Sequence, residues 1–221
     1  VGIHGNVLTV SLSGLSSLQI QGTPDLKQVT DSGDAFTVHQ LTITGNAAVT
    51  LDQANDFDHV NIESLSLTLH DSDDLQLEQL DISGDLNLSV ADSVTSSADA
   101  FLHVHGHTEI NSGSVALESA HFTTLSCESS GDVSIEQNGD LELSGPIAAR
   151  SLDLDVDGTL SNATGTSLDV EEHTVLEADS ISLGHHDSDQ IHLNSVTFHS
   201  SGDVFISNRS EERRVGKECA S

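Results

Sequence analysis

Ser83-Gly84-Asp85-Leu86-Asn87-Leu88-Ser89-Val90 is the stretch that decides the fold. A polar turn leads into an apolar-x-apolar pair, Leu86 and Leu88, with Asn87 between them. Side chains of an extended strand alternate faces, so the two leucines share one side and Asn87 takes the other. Gly, Asp and Ser bound the strand because turns accept them. The same unit recurs along the chain as Val49-Leu51, Leu67-Leu69, Val115-Leu117, Val133-Ile135, Leu152-Leu154, Ile181-Leu183 and Val204-Ile206. Successive pairs start at intervals of 18, 19, 29, 18, 19, 29 and 23, so three steps make a 66-residue super-repeat that runs twice. The last step is the shortest one with five positions inserted, in the interval that holds His185, His186 and Asp187.

Other positions obey the same shift. Phe36-x-Val38 maps onto Leu102-x-Val104 and then Leu168-x-Val170, Leu75-x-Leu77 onto Leu141-x-Leu143, and Val1-x-Ile3 onto Leu67-x-Leu69. The two shorter steps leave no room for a strand plus a crossover helix. They fit one coil of a solenoid, with two or three short strands joined by turns. The predicted fold is all-β: a right-handed parallel β-helix with coils of about 18–29 residues in a 66-residue super-repeat. The longest step is expected to hold a wider coil or an added strand, the one containing Phe36, Leu102 and Leu168. Residues 1–208 form a single repeat region. Val1 is already in phase and the pattern is still running at Ile206, so the parent protein is expected to continue at both ends.

Composition agrees. Apolar residues make up 35% and aromatics only 3%, with six Phe and no Trp, Tyr or Met. A compact globule of this size packs around several large aromatics, whereas evenly spaced Val, Leu and Ile suit a long thin core. The balance of 36 Asp and Glu against 6 Lys and Arg repels phosphate backbones and anionic lipid, which disfavours nucleic-acid and membrane-surface roles. No apolar run is long enough to span a bilayer.

From Arg209 the composition flips. Arg209, Arg213, Arg214 and Lys217 are four of the six basic residues, and residues 209–219 resemble the translation of a short-read sequencing adapter. Residues 209–221 are therefore expected to be a non-native or disordered tail. Without them Lys27 and Arg150 are the only basic residues and Cys127 the only cysteine. Cys127 follows Leu125 at an inward strand position and is expected to be a buried, inert thiol.

Two elements carry a family resemblance. Residues 48–57, AVTLDQANDF, and residues 82–90, ISGDLNLSV, resemble elements of filamentous-haemagglutinin-type repeats, and the likeness covers most of residues 20–208. The resemblance implies a large secreted bacterial exoprotein of the two-partner or autotransporter kind, displayed at the cell surface as a β-helical adhesin shaft. Its partners would be glycans or proteins on host or neighbouring cells, met through other parts of the parent chain. This chain departs from the family in being more acidic and richer in His.

Candidate chemistry is sparse. Asp153, Asp155 and Asp157 alternate on one strand and line an outward stripe, and Asp71, Asp73 and Asp74 cluster in a turn, as do Asp187 and Asp189. Such oxygen-rich groups suit calcium, a hard cation, and a calcium-dependent acidic exoprotein repeat is one alternative reading; no calcium β-roll nonapeptide or EF-hand loop is present, so loose cation screening is expected. His103, His105 and His107 also alternate, projecting from one face while Leu102 and Val104 point inward. This H-x-H spacing can bind zinc, but no fixed fourth ligand is evident in the sequence. Carboxylate pairs serve glycosidases, some on β-helices; with two basic residues and no Trp or Tyr, a carbohydrate-active or carbohydrate-binding β-helix is the weaker alternative. No nucleophile elbow, phosphate loop or C-x-x-C occurs, so no enzyme and no cofactor are expected.

Overall fold

The computed structural model describes residues 2–4, 7–9, 13–22, 25–28 and 35–208. The basic tail from Arg209 lies outside them. Seventeen strands make up the described chain: β1 (Gly2–His4), β2 (Val7–Thr9), β3 (Ser13–Gln21), β4 (Leu26–Lys27), β5 (Thr37–Thr44), β6 (Ala48–Ser64), β7 (Ser66–Asp71), β8 (Leu75–Ile82) and β9 (Leu86–Val90), then eight more. These are β10 (Ser93–Ser112), β11 (Ser114–Ser129), β12 (Val133–Gln137), β13 (Leu141–Ala149), β14 (Leu152–Asn162), β15 (Ser167–Leu183), β16 (Gln190–Ser200) and β17 (Val204–Ile206). Fifteen of them, β3 to β17, join one sheet whose pairings are all parallel, wound into a β-solenoid of about 10 turns. The parallel β-helix expected from the spacing is the fold.

Of the Val1-x-Ile3 pair, Val1 lies outside the described residues. Ile3 lies in β1, which pairs antiparallel with β2 outside the parallel sheet, with Ile3 opposite Leu8.

The aliphatic pairs from Val49-Leu51 to Ile181-Leu183 form the interior, whereas Val196 and Val204 near its end are exposed. Leu26, Val49, Leu67, Leu86, Thr108, Leu125 and Leu143 stack in one ladder. A second runs through Leu75, Val94, Val115, Val133, Leu152, Thr174 and Val196. A third climbs from Ile43 through Ile62, Leu80, Leu102 and Ala120 to Gln137, Val156 and Ala178. Buried Phe, Leu, Ile and Val from Phe36 to Leu193 merge into one continuous core. The residues between them point out: Thr50 and Asn87 are half-buried, Thr68 and Asp153 exposed.

Register resolves the longest step. Leu86 stacks under Thr108, not Val115, so the coil closes at Thr108 (108 − 86 = 22) and the chain runs on a further seven positions to Val115 (115 − 108 = 7). The next copy behaves identically: Leu152 stacks under Thr174, ahead of Ile181 by the same margin. The wider coil arises where β10 bulges out of register with β8 between Ser96 and Phe101. The super-repeat is thus three coils plus about a third of a coil. Val49, Val115 and Ile181 are equivalent in sequence yet stand on three different ladders.

Corners are closed by two devices. Glycines stack on glycines: a Cβ at Gly106 would lie 2.6 Å from the Gly84 carbonyl oxygen, and one at Gly131 would lie 2.6 Å from that of Gly113. Turn aspartates cap the coil that follows. Oδ1 of Asp25, Asp74, Asp85 and Asp140 accepts the backbone N–H of Ala48, Ser93, His107 and Thr159, at 3.2, 3.0, 2.9 and 2.7 Å. Backbone donors that leave the ladder at a bend need such partners, and this accounts for part of the acidic composition.

Candidate functional site

Outward side chains of neighbouring coils meet because the ladder holds them in register about 4.8 Å apart. On β10, His103 stands between Asp81 of β8 and His121 of β11. His105 is the next residue but one along the same strand. Ligand atoms of Asp81, His103 and His105 lie within 4.8 Å of one another, a grouping of two imidazoles and a carboxylate that could hold a metal ion. His103 and His105 pack ring to ring at 4.1 Å, and His121 meets His103 edge-on at 4.6 Å. Burial first, then the neighbouring His105 and His121, hold the His103 imidazole below its ordinary range, so the neutral ring is favoured. Exposed Phe101 packs edge-on against His103 at 5.9 Å, beside a shallow apolar hollow of about 300 Å³ that His121 and Ser119 also line.

Of the three alternating histidines, only two join this group. His107 sits past a further register shift in β10 and meets hydroxyls instead: Thr124 Oγ1 at 2.9 Å and Ser126 Oγ at 3.0 Å. The third member, Asp81, was not identified from the sequence. It precedes His103 by one whole coil, and the pairing depends on the bulge that sets the local coil length. A second outward group, His39 with Asp58 and His59 with Glu78 at 3.4 Å, pairs each ring with its own carboxylate.

The carboxylate stripes take up three positions. Asp153, Asp155 and Asp157 are exposed on β14, and Asp155 stacks between Glu136 and Glu177 of the adjacent coils. Their ligand atoms do not converge as those of Asp81, His103 and His105 do. Asp71 turns inward and is fully buried, where its carboxyl accepts the N–H of Phe57 at 2.9 Å and of Asp73 at 3.3 Å. Burial pushes it up to about 7 against those two amides, which favour the charged form. Asp189 is also buried, but Asn162 Nδ2 and the N–H groups of Gly165 and His186 donate to it at 2.8–3.0 Å. Burial opposes ionisation of Asp189, yet these donors outweigh it and its carboxyl falls below the ordinary range. Asp73 and Asp74 stay at the surface, and Asp74 accepts from Ser93. Asp187 is exposed in the His185–His186 turn.

Cys127 is buried in the core between Ile110 and Ile147, and burial pushes its thiol up to about 12, as an inert interior thiol requires. The one Arg–carboxylate pair among the described residues joins Arg150 to Asp132 of the preceding coil through two bonds of 3.0 and 2.6 Å.

No curated protein and no solved structure matches the chain. A family of repeats does, over residues 4–62 and again over residues 64–126, together more than half of the chain. The second matched copy covers about three coils, and the same ladders continue past it to Ile206. By its sequence the chain belongs to the family described as repeats of unknown function (DUF5649).

Proposed function

We propose that this chain is a non-catalytic segment of the shaft of a secreted or surface-displayed bacterial adhesin of the filamentous-haemagglutinin type. The observation that carries the proposal is the unbroken parallel ladder from β3 to β17 around one aliphatic core. A solenoid gains length by adding coils, each supplying its own inward residues, without a redesign of the core. Nine coil-to-coil steps of roughly 4.8 Å make a rod on the order of 45 Å long. The resemblance of residues 48–57 and 82–90 to haemagglutinin-type repeats supports the surface role, and membership of a repeat family supports a structural repeat. In such a shaft, contact with glycans or proteins of other cells belongs to other parts of the parent chain, and the acidic exterior keeps neighbouring rods apart.

Antibodies raised against this chain test the proposal. They should label intact cells that produce the parent protein, and electron micrographs should show the label along filaments. Labelling that needs permeabilised cells would refute surface display.

A further inference from the structure

We propose that Asp81, His103 and His105 form a binding site for a first-row transition-metal ion, with zinc as the representative, that fastens two adjacent coils together on the outside of the solenoid. The donor set is two imidazole nitrogens and one carboxylate oxygen, the ligands that borderline divalent metals favour over calcium or magnesium. All three side chains stand on the outer face, and their ligand atoms lie within 4.8 Å of one another. Zinc–ligand bonds of about 2.0–2.2 Å need those atoms to draw together by little more than an ångström, within reach of side-chain rotation. Geometry is supplied by the backbone. His103 and His105 are separated by one residue on β10 and so share a face, while the ladder holds Asp81 directly opposite His103. The histidines are further ordered by ring contacts, at 4.1 Å between them and 4.6 Å from His103 to His121. Three protein ligands leave a coordination position open for water.

Two other histidine groups lack this arrangement. His107 is engaged by two hydroxyls, and each ring of the His39–His59 pair faces its own carboxylate. The site also belongs to one place in the chain. The super-repeat shift puts Leu15, Thr37 and His39 in one direction, and Ile147, Asp169 and Glu171 in the other, at the equivalent positions.

Zinc chloride titrated calorimetrically into the full chain, in buffer containing magnesium, tests the proposal. Wild type and His107→Ala should bind zinc alike. His103→Ala/His105→Ala should lose one equivalent, and Asp81→Asn should bind at that site at least tenfold more weakly. The substituted groups are outward, so circular dichroism and the metal-free melting temperature should be unchanged. If the double variant folds poorly, His105→Ala alone, at an exposed position, gives the same comparison. Saturating zinc should also raise the melting temperature of wild type and not that of the double variant. An unchanged number and affinity of zinc ions in the double variant, or an equal thermal shift with magnesium alone, would overturn the site.

Discussion

Two buried polar residues show how single positions tune this interior. Asp71 and Gln137 stand one super-repeat apart and do the same work: each takes the backbone N–H of a buried phenylalanine, Phe57 or Phe122. Gln137 does so uncharged, and Asn55 does the same for Phe36 one coil before Asp71. Of the three, only Asp71 brings a carboxyl into the core. Its folded-state pKa is raised to about 7 from 3.8, so the folded chain holds the proton more tightly than the unfolded one. That contribution is complete below pH 3.8 and is lost as pH climbs through 7. Asp71→Asn should therefore raise stability by about 1–2 kcal/mol at pH 8 and change it little below pH 3.8, as read from denaturant melts in the two ranges. Thr108 and Thr174, another pair related by the super-repeat, sit fully buried in aliphatic ladders, and neither hydroxyl finds a partner among the described residues. Thr108→Val keeps the shape and removes the orphan donor. It should stabilise the fold by about 1 kcal/mol, measurable as a higher denaturant midpoint with an unchanged slope.

At the scale of elements, the corners are the tight places. Gly106 crosses directly over Gly84, where a methyl group would meet the Gly84 backbone as well as the Asp85 carboxylate. Gly106→Ala should cost about 1–3 kcal/mol, whereas Gly165→Ser, with open space around the site, pays only for its left-handed backbone. Chemical denaturation of the two variants side by side checks this ranking. The strands were legible in the sequence because each inward pair leaves a local signature, two branched apolar residues around one polar residue. Which ladder a strand joins was not legible. The interval from Leu86 to Val115 fits a long coil as well as a coil plus a shift, and only the bulge after Ser96 separates them. The same limit hid Asp81 from the His103–His105 pair. Outward residues have no hydrophobic pattern to fix their phase, so neighbours a full coil apart in sequence become definite only with the register.

Over the whole molecule, charge opposes the compactness that the ladders impose. With 36 acidic residues against 6 basic ones, and stacks such as Glu136–Asp155–Glu177, carboxylates repeat at the coil spacing. Salt of any kind should relieve that repulsion. Calcium and magnesium at equal concentration should raise the melting temperature by similar small amounts, and a large saturable shift peculiar to calcium would instead reveal a built site among Asp153, Asp155 and Asp157. The three-and-a-third-coil period also has a directional consequence. Each sequence copy emerges roughly 16 Å further along the axis and about 120° around it, like successive treads of a spiral staircase. A feature carried by every copy would therefore look out in all three compass directions within three copies, and a neighbour approaching from any side would find one facing it however the rod happened to be rolled.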